Sequence, residues 1–124
     1  MPISSFARVV ACGAALAAAT ITAANAHGYL VQSFPPRGFH LRESPRHIKL
    51  LFSLRTDATW STVKLERNDG TVLAEKRQPT TSRSFTMDAP KLSPGAYRVQ
   101  YSMLTPDGDF LRGEVDFVVD EPEG

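Results

Sequence analysis

The chain has 124 residues, enough for one domain of ordinary size, and 42% of them are hydrophobic. Its 14 basic and 13 acidic residues give a formal net charge of +1, a balance that excludes nucleic acid and anionic membrane surfaces as expected partners. The single cysteine, Cys12, lies in a segment that we expect to be removed from the mature protein.

Residues 1–26 have the pattern of a secretory signal peptide. Arg8 is the only charged residue, an Ala-rich apolar run covers residues 9–21, and small residues at Ala24 and Ala26 suit a signal peptidase. The run is too short for a comfortable membrane span, which disfavours the alternative of a retained anchor. We therefore predict a signal peptide at 1–26 and a mature chain of residues 27–124 that begins with His27 and does not insert into the membrane.

The sequence Val9-Val10-Ala11-Cys12 is similar to a lipid-attachment box, but no apolar run precedes Cys12 and lipidation is not expected. The mature chain then has no cysteine, which excludes disulfides, thiolate ligands and thiol nucleophiles. A domain of this size must be held together by its own hydrophobic core.

Short alternating segments separated by turn signals predict strands along the whole mature chain. On the longest one, residues 96–104, Tyr97, Val99, Tyr101 and Met103 share one face. Asn68-Asp69-Gly70 indicates a hairpin turn, because these residue types tolerate positive φ. The predicted strands cover residues 29–34, 47–53, 60–67, 71–74, 83–87, 96–104 and 114–119.

About seven short strands without a helical pattern predict an all-β fold, an immunoglobulin-like antiparallel β-sandwich with Greek-key connections. The Cys-Trp-Cys pattern of true immunoglobulin domains is absent, so this similarity is one of architecture. We expect Trp60, Tyr97 and Tyr101 to be core or sheet-face aromatics, and Met87 and Met103 to be core residues.

Four pieces of the sequence form an ordered pattern: His27 directly after the signal peptide, Ser33-Phe34-Pro35-Pro36-Arg37-Gly38, Leu50-Leu51-Phe52-Ser53, and Leu92-Ser93-Pro94-Gly95-Ala96-Tyr97-Arg98-Val99 followed by Asp107-Gly108 and Gly113. Together they resemble the CopC family of periplasmic copper-binding proteins. Residues 33–38 are similar to the family's Ser-x-Pro-x-x-Gly, and residues 92–109 are similar to its Leu-x-Pro-Gly-x-Tyr-x-Val strand and Asp-Gly-His turn.

This resemblance implies a Cu(II) site built from the α-amine and imidazole of an N-terminal histidine together with the Asp and His of the Asp-Gly-His turn. Carried over, the ligands are His27, Asp107 and Asp109, with Asp109 standing where the family has histidine. Cu(II) favours nitrogen and oxygen ligands in a tetragonal arrangement, and the metal's charge drives the proton off the amine. Two nitrogens and two oxygens are expected to bind Cu(II) less tightly than three nitrogens, with weaker discrimination against Zn(II) and Ni(II).

His40 and His47 are the remaining histidines, and either could replace the missing imidazole. We expect a surface or strand-end role for both, since His40 lies in a predicted loop and His47 begins a predicted strand. The Met-rich segment that binds Cu(I) in some members of the family is also missing.

The leading hypothesis is a periplasmic protein that holds or carries Cu(II) for copper homeostasis or resistance. Its expected partners are the copper ion and an inner-membrane copper transporter or another periplasmic copper protein. The alternative is a CopC-like β-sandwich with a degenerate metal site, acting as a structural or protein-interaction module. Catalysis is not expected, because Ser-His-Asp and Cys-His arrangements, a phosphate loop and a His-Glu-x-x-His motif are all absent. Oxidative cleavage by a copper brace would need a greater length and a second histidine ligand.

Overall fold

The computed structural model describes residues 28–122, so the predicted signal peptide, Cys12 and His27 lie outside the described residues. This part of the chain contains eight strands and no helix, and therefore no helix that could cross a membrane. The strands are β1 (Leu30–Phe34), β2 (His40–Leu41), β3 (His47–Thr56), β4 (Thr62–Arg67), β5 (Val72–Arg77), β6 (Ser82–Asp88), β7 (Gly95–Leu104) and β8 (Phe110–Val119).

The strands form two sheets, one of three strands in the order β1-β3-β6 and one of five in the order β2-β8-β7-β4-β5. The chain leaves the first sheet at β2, returns at β3, passes to the second sheet at β4, returns at β6, and crosses again to β7, which pairs with β4. All pairings are antiparallel except that of β2 with β8. The predicted all-β sandwich with crossing connections is confirmed.

The core lies between the sheets and follows the alternation of the strands. One side chain in two is buried along β3, β6, β7 and the second half of β8, because successive residues of a strand point to opposite faces. The predicted common face of Tyr97, Val99, Tyr101 and Met103 is confirmed as buried, and Met103 is 0% exposed. The buried apolar residues of the strands are Ile48, Leu50, Phe52, Val63, Leu65, Phe85, Met87, Tyr97, Val99, Tyr101, Met103, Val115, Phe117 and Val119.

Gly113 is required by the packing of one core aromatic. It lies opposite Tyr101 in the pairing of β7 with β8, and a Cβ at this position would overlap the Tyr101 hydroxyl and ring. The ring of Tyr101 in turn meets Phe52 of the other sheet edge-on, with centroids 5.3 Å apart. The close approach of a large side chain to a strand backbone is a common reason for glycine within a strand.

The two ends of the sandwich carry different loops, and we name them by their residues. The upper end holds the start of β1, the 57–61 and 78–81 loops, and the turn at residues 105–109. The lower end holds the loop that follows β1, the 68–71 hairpin and the 89–94 segment. The register of the strands fixes this division, since Leu104 pairs with Phe110 at the upper end and Gly95 pairs with Val119 at the lower end.

Several predicted boundaries were wrong in detail. The predicted loop at residues 39–46 contains β2, β3 continues to Thr56, β5 continues to Arg77, and β8 begins at Phe110. The added part of β5 is exposed and polar, and the added part of β8 begins with two adjacent apolar residues, so neither has the apolar alternation from which strands were predicted. Trp60 also departs from the prediction, because it lies in the 57–61 loop and is 64% exposed.

Candidate metal centre

Gly28, the first described residue, lies against the end of β3. The neighbouring Tyr29 donates its N–H to Ser53 Oγ at 2.9 Å, and Ser53 N–H donates to the Tyr29 carbonyl, also at 2.9 Å. A Cβ on Gly28 would lie 2.9 Å from Cδ1 of Leu54, so the glycine passes this side chain closely. The start of the described chain is thereby held at the upper end.

The turn that carries Asp107 is a hairpin loop between β7 and β8. Gly108 donates its N–H to the Thr105 carbonyl at 3.0 Å, and Thr105 N–H donates to the Asp109 carbonyl at 2.9 Å. Pro106 follows Thr105, where its fixed φ favours a type I turn, and Gly108 has φ of +88°, which glycine adopts without strain. This arrangement is the type I turn followed by a left-handed residue that closes three-residue hairpins.

Both candidate carboxylates lie on this turn and are exposed. Asp107 occupies the third position of the turn, and Asp109 follows the left-handed Gly108 at the point where β8 is about to begin. Thr105 contacts both residues through its hydroxyl, which donates to Asp107 Oδ1 and lies 2.9 Å from the Asp109 carbonyl oxygen. The turn therefore presents two acidic side chains to solvent from one short, hydrogen-bonded loop.

One strand connects Gly28 with this turn. Leu54 of β3 contacts Gly28, and Asp57, three residues later, donates its N–H to the Leu104 carbonyl at 2.9 Å. Arg55 and Asp57 line an open depression together with residues of the turn, including Thr105 and Gly108. Consecutive residues of one chain segment thus bring the start of the described chain and the acidic turn to the same end of the sandwich.

The described residues do not by themselves form a metal site. Within residues 28–122 there is no group of three or more His, Asp, Glu or Cys side chains placed to hold a metal ion. His27 is not among them, so the predicted ligand set of His27, Asp107 and Asp109 stays a prediction. What the structure contributes is the position of the two aspartates and of the residue that follows His27.

The comparison with known proteins decides the family. The sequence model described as the CopC domain matches residues 30–120, most of the chain. The chain belongs to the CopC family. A comparison with curated protein sequences finds no match.

Solved structures of CopC proteins share the fold. In the crystal structure of CopC from Methylosinus trichosporium OB3b, the sequence is 32% identical to this one and the TM-score is 0.71. The match covers 79% of this chain and 98% of that one. PcoC from Escherichia coli, described as a methionine-rich copper resistance protein, is 25% identical with a TM-score of 0.64, over 77% of this chain and 100% of PcoC. A selenomethionine form of PcoC gives 22% identity and a TM-score of 0.65, over 74% of this chain and 99% of that one.

This CopC-family chain is not rich in methionine, unlike PcoC. The sequence contains three, and both of those in the described part, Met87 and Met103, are buried in the core at 3% and 0% exposure. Their predicted role as core residues is confirmed. Neither is available at the surface as a thioether ligand for Cu(I).

Both remaining histidines lie at the lower end. His40 pairs with Val118 near the end of β8, and its Nδ1 is 2.8 Å from Asp120 Oδ1. His47 begins β3 beside Asp88, with Nδ1 3.3 Å from Oδ1 of that residue. The length of the strands between them and the acidic turn is about 25 to 30 Å, at about 3.4 Å per residue. Neither imidazole can replace the histidine missing from the turn, and the strand-end role expected for both fits their positions.

Two features of the upper end could not be found in the sequence. Thr105 has no motif of its own, and its contact with Asp107 depends on how the turn closes. Trp60 is held in its loop because Asp57 Oδ1 accepts the N–H groups of Thr59 and Trp60, at 2.7 and 3.2 Å. An aspartate side chain often accepts the backbone N–H groups two and three residues later in a turn. Asp57 is therefore the sequence signal that could have placed Trp60 in a loop.

Proposed function

We propose that this protein is exported to the periplasm, is cut after Ala26, and binds Cu(II) through His27, Asp107 and Asp109. The copper ion is its cargo, which it holds or passes on to an inner-membrane transporter or another periplasmic copper protein. The role is one of binding and carriage without catalysis.

One observation carries this proposal. Gly28, the residue bonded to His27, lies against Leu54, and three residues later Asp57 bonds Leu104 and lines a depression with Thr105 and Gly108 of the acidic turn, at the same end of the sandwich. Membership of the CopC family supplies the expectation of copper, and the similarity to PcoC, a copper resistance protein, agrees with it. If the acidic turn lay at the lower end of the sandwich, its aspartates could not join the residue that precedes Gly28 in one site.

The donor set fits Cu(II) chemically. An N-terminal histidine offers two nitrogens in one chelate ring, and two carboxylates add oxygens that a tetragonal Cu(II) ion accepts. The amine, which titrates near 7.7–8.0 in ordinary chains, must release its proton to bind, so binding is expected to weaken as the pH falls below neutrality. Exposure of Asp107 and Asp109 leaves their carboxylates accessible to an ion from solvent.

The test uses protein purified from the periplasm, with its N-terminus verified by mass spectrometry. Titration with Cu(II) should give a d–d absorption band and one bound ion per chain that survives a weak chelator. A form with one extra alanine before His27 displaces the free amine from the chelate and should bind at least about tenfold less tightly, a loss of about 1.4 kcal/mol. Equal affinities of the two forms, or no d–d band with the processed chain, would show that His27 is not the anchor of a copper site.

The second candidate function is a structural or protein-interaction sandwich with a degenerate metal site. The aspartate at position 109, where the family has histidine, is the observation that favours it. This candidate predicts that copper changes neither the melting temperature nor the partners captured from periplasmic extract. A copper-dependent rise in melting temperature would exclude it, because a ligand that binds only the folded state stabilises it.

A further inference from the structure

Thr105 is buried within a turn whose other residues are exposed. Its exposed fraction is 6%, whereas residues 106–109 are all exposed. A buried hydroxyl group is expected to have a hydrogen-bond partner. The partners of this one are the Asp107 carboxylate, at Oδ1, and the Asp109 carbonyl oxygen at 2.9 Å.

The backbone and the side chain of Thr105 have separate effects. Its N–H and carbonyl close the turn with Asp109 and Gly108, and any residue other than proline could supply these bonds. The hydroxyl donates to the carboxylate of Asp107, a bond that only a hydroxyl-bearing side chain at this position can supply. A hydroxyl has a single proton, so it is shared between the carboxylate and the carbonyl, and the negatively charged oxygen is the stronger acceptor.

We propose that Thr105 is a positioning residue that holds the Asp107 carboxylate in the orientation in which it binds copper. This inference rests on the proposed function, since it assigns a support to a ligand of that site. A side chain already fixed in the free protein loses less rotamer freedom when the ion binds, so that more of the bond energy becomes affinity. Groups that orient metal ligands in this way typically contribute about 10- to 100-fold to metal affinity.

The contact distinguishes the two aspartates of the turn. The Thr105 hydroxyl bonds the side-chain carboxylate of Asp107, whereas at Asp109 it bonds the backbone carbonyl. The hydroxyl therefore orients the Asp107 carboxylate directly, whereas it acts on Asp109 only through the shape of the turn. Removal of the hydroxyl is expected to alter the contribution of Asp107 first.

The test compares Thr105→Val, which keeps the shape and removes the hydroxyl, with Thr105→Ser, which keeps the hydroxyl. Thr56→Val is the matched control, because Thr56 is also buried at the upper end, with its hydroxyl bonded to the Ser82 carbonyl at 3.0 Å and to Gln78. We expect Thr105→Val to raise the Kd for Cu(II) about 10- to 100-fold and to change the Cu(II) EPR spectrum. Thr105→Ser should restore both, and Thr56→Val should lower the melting temperature without changing either.

A measurement on the copper-free protein tests the same idea without the metal. Three-bond NMR couplings should report one χ1 rotamer for Asp107 in the wild type and in Thr105→Ser, and averaged rotamers in Thr105→Val. Wild-type affinity in Thr105→Val, or an equal loss in Thr56→Val, would overturn the inference while leaving the proposed function intact. If the wild type itself binds no Cu(II), the proposed function fails first and the positioning role fails with it.

Discussion

In the copper site that we propose for this CopC-family chain, the residue at position 109 determines the set of ligand atoms. The family pattern has histidine there, and this chain has an aspartate that follows Gly108 on the hairpin loop. A carboxylate in place of an imidazole would change the proposed ligand set from three nitrogens to two, and we expect this change to lower the preference for Cu(II) over other divalent ions. The position is exposed, so a larger side chain fits there without disturbing the core.

Replacement of Asp109 by histidine should therefore strengthen Cu(II) binding. We expect Asp109→His to lower the Kd at least about tenfold, or about 1.4 kcal/mol, and to shift the EPR and visible spectra toward more nitrogen ligation. Asp109→Asn is the control, because it removes the charge without adding an imidazole. Spectra of Asp109→His that match those of the wild type would place position 109 outside the coordination sphere.

Gly113 and Tyr101 provide another test at the scale of single residues. Because a Cβ at position 113 would overlap the Tyr101 hydroxyl and ring, Gly113→Ala should force the ring aside and cost about 1–3 kcal/mol, as overpacking does. For a domain of this size, that lowers the melting temperature by several degrees. The cost should be smaller in a Tyr101→Phe background, and a calorimetric double-mutant cycle without coupling between the two positions would contradict this account.

Some strands could be predicted from the sequence alone, and others could not. Strands with one buried and one exposed face, such as β3 and β7, were predicted because their apolar residues alternate with polar ones. The pattern fails for β2, whose two residues pair only with the end of β8, and for the first half of β8, which is held by its pairing with β7. Backbone pairing with a neighbouring strand does not require apolar residues to alternate with polar ones, so these elements could not be predicted from the alternation.

In the candidate site, too, local features could be predicted from the sequence and contacts between distant residues could not. Asp107 and Asp109 were predicted because residues 107–109 resemble the family's Asp-Gly-His turn, and turns are local features of a sequence. The position of Gly28 at the same end as that turn, the support from Thr105 and the distance of His40 and His47 all depend on the order and register of strands. For this reason the ligand types could be proposed from the sequence, but their supporting contacts could not.

The hairpin between β4 and β5 gives a pH-dependent prediction at the scale of one element. Asp69 Oδ1 accepts the Thr71 N–H at 2.9 Å, and this hydrogen bond lowers the pKa of Asp69 below its ordinary 3.8. Because the charged form is favoured in the folded state, its stabilising effect is present above about pH 3.8 and is lost as the pH falls through the lower folded value. Carboxyl carbon NMR shifts should show Asp69 titrating with a higher midpoint in Thr71→Pro, which lacks the N–H, and an unchanged midpoint would contradict the assigned hydrogen bond.

At the scale of the whole molecule, the sandwich holds His40 and His47 at the end opposite the acidic turn. They lie beside Asp120 and Asp88 at the lower end, and the strands keep them roughly 25 Å or more from that turn. A copper ion bound at the upper end should not sense their removal. The only tryptophan, Trp60, lies in the 57–61 loop at the upper end and can serve as a reporter, since Cu(II) quenches nearby indole fluorescence.

We therefore expect the double variant His40→Asn/His47→Asn to bind Cu(II) with wild-type affinity and with the same quenching of Trp60. His27→Asn should lose both binding and quenching, because it removes the imidazole and leaves only the amine of the proposed chelate. The two sets of variants change the same residue type, but only His27 belongs to the proposed chelate. If His27→Asn kept the quenching and the double variant lost it, the copper site would have to lie at the lower end. The strand register puts that end out of reach of Asp107 and Asp109, so this result would contradict the proposed site.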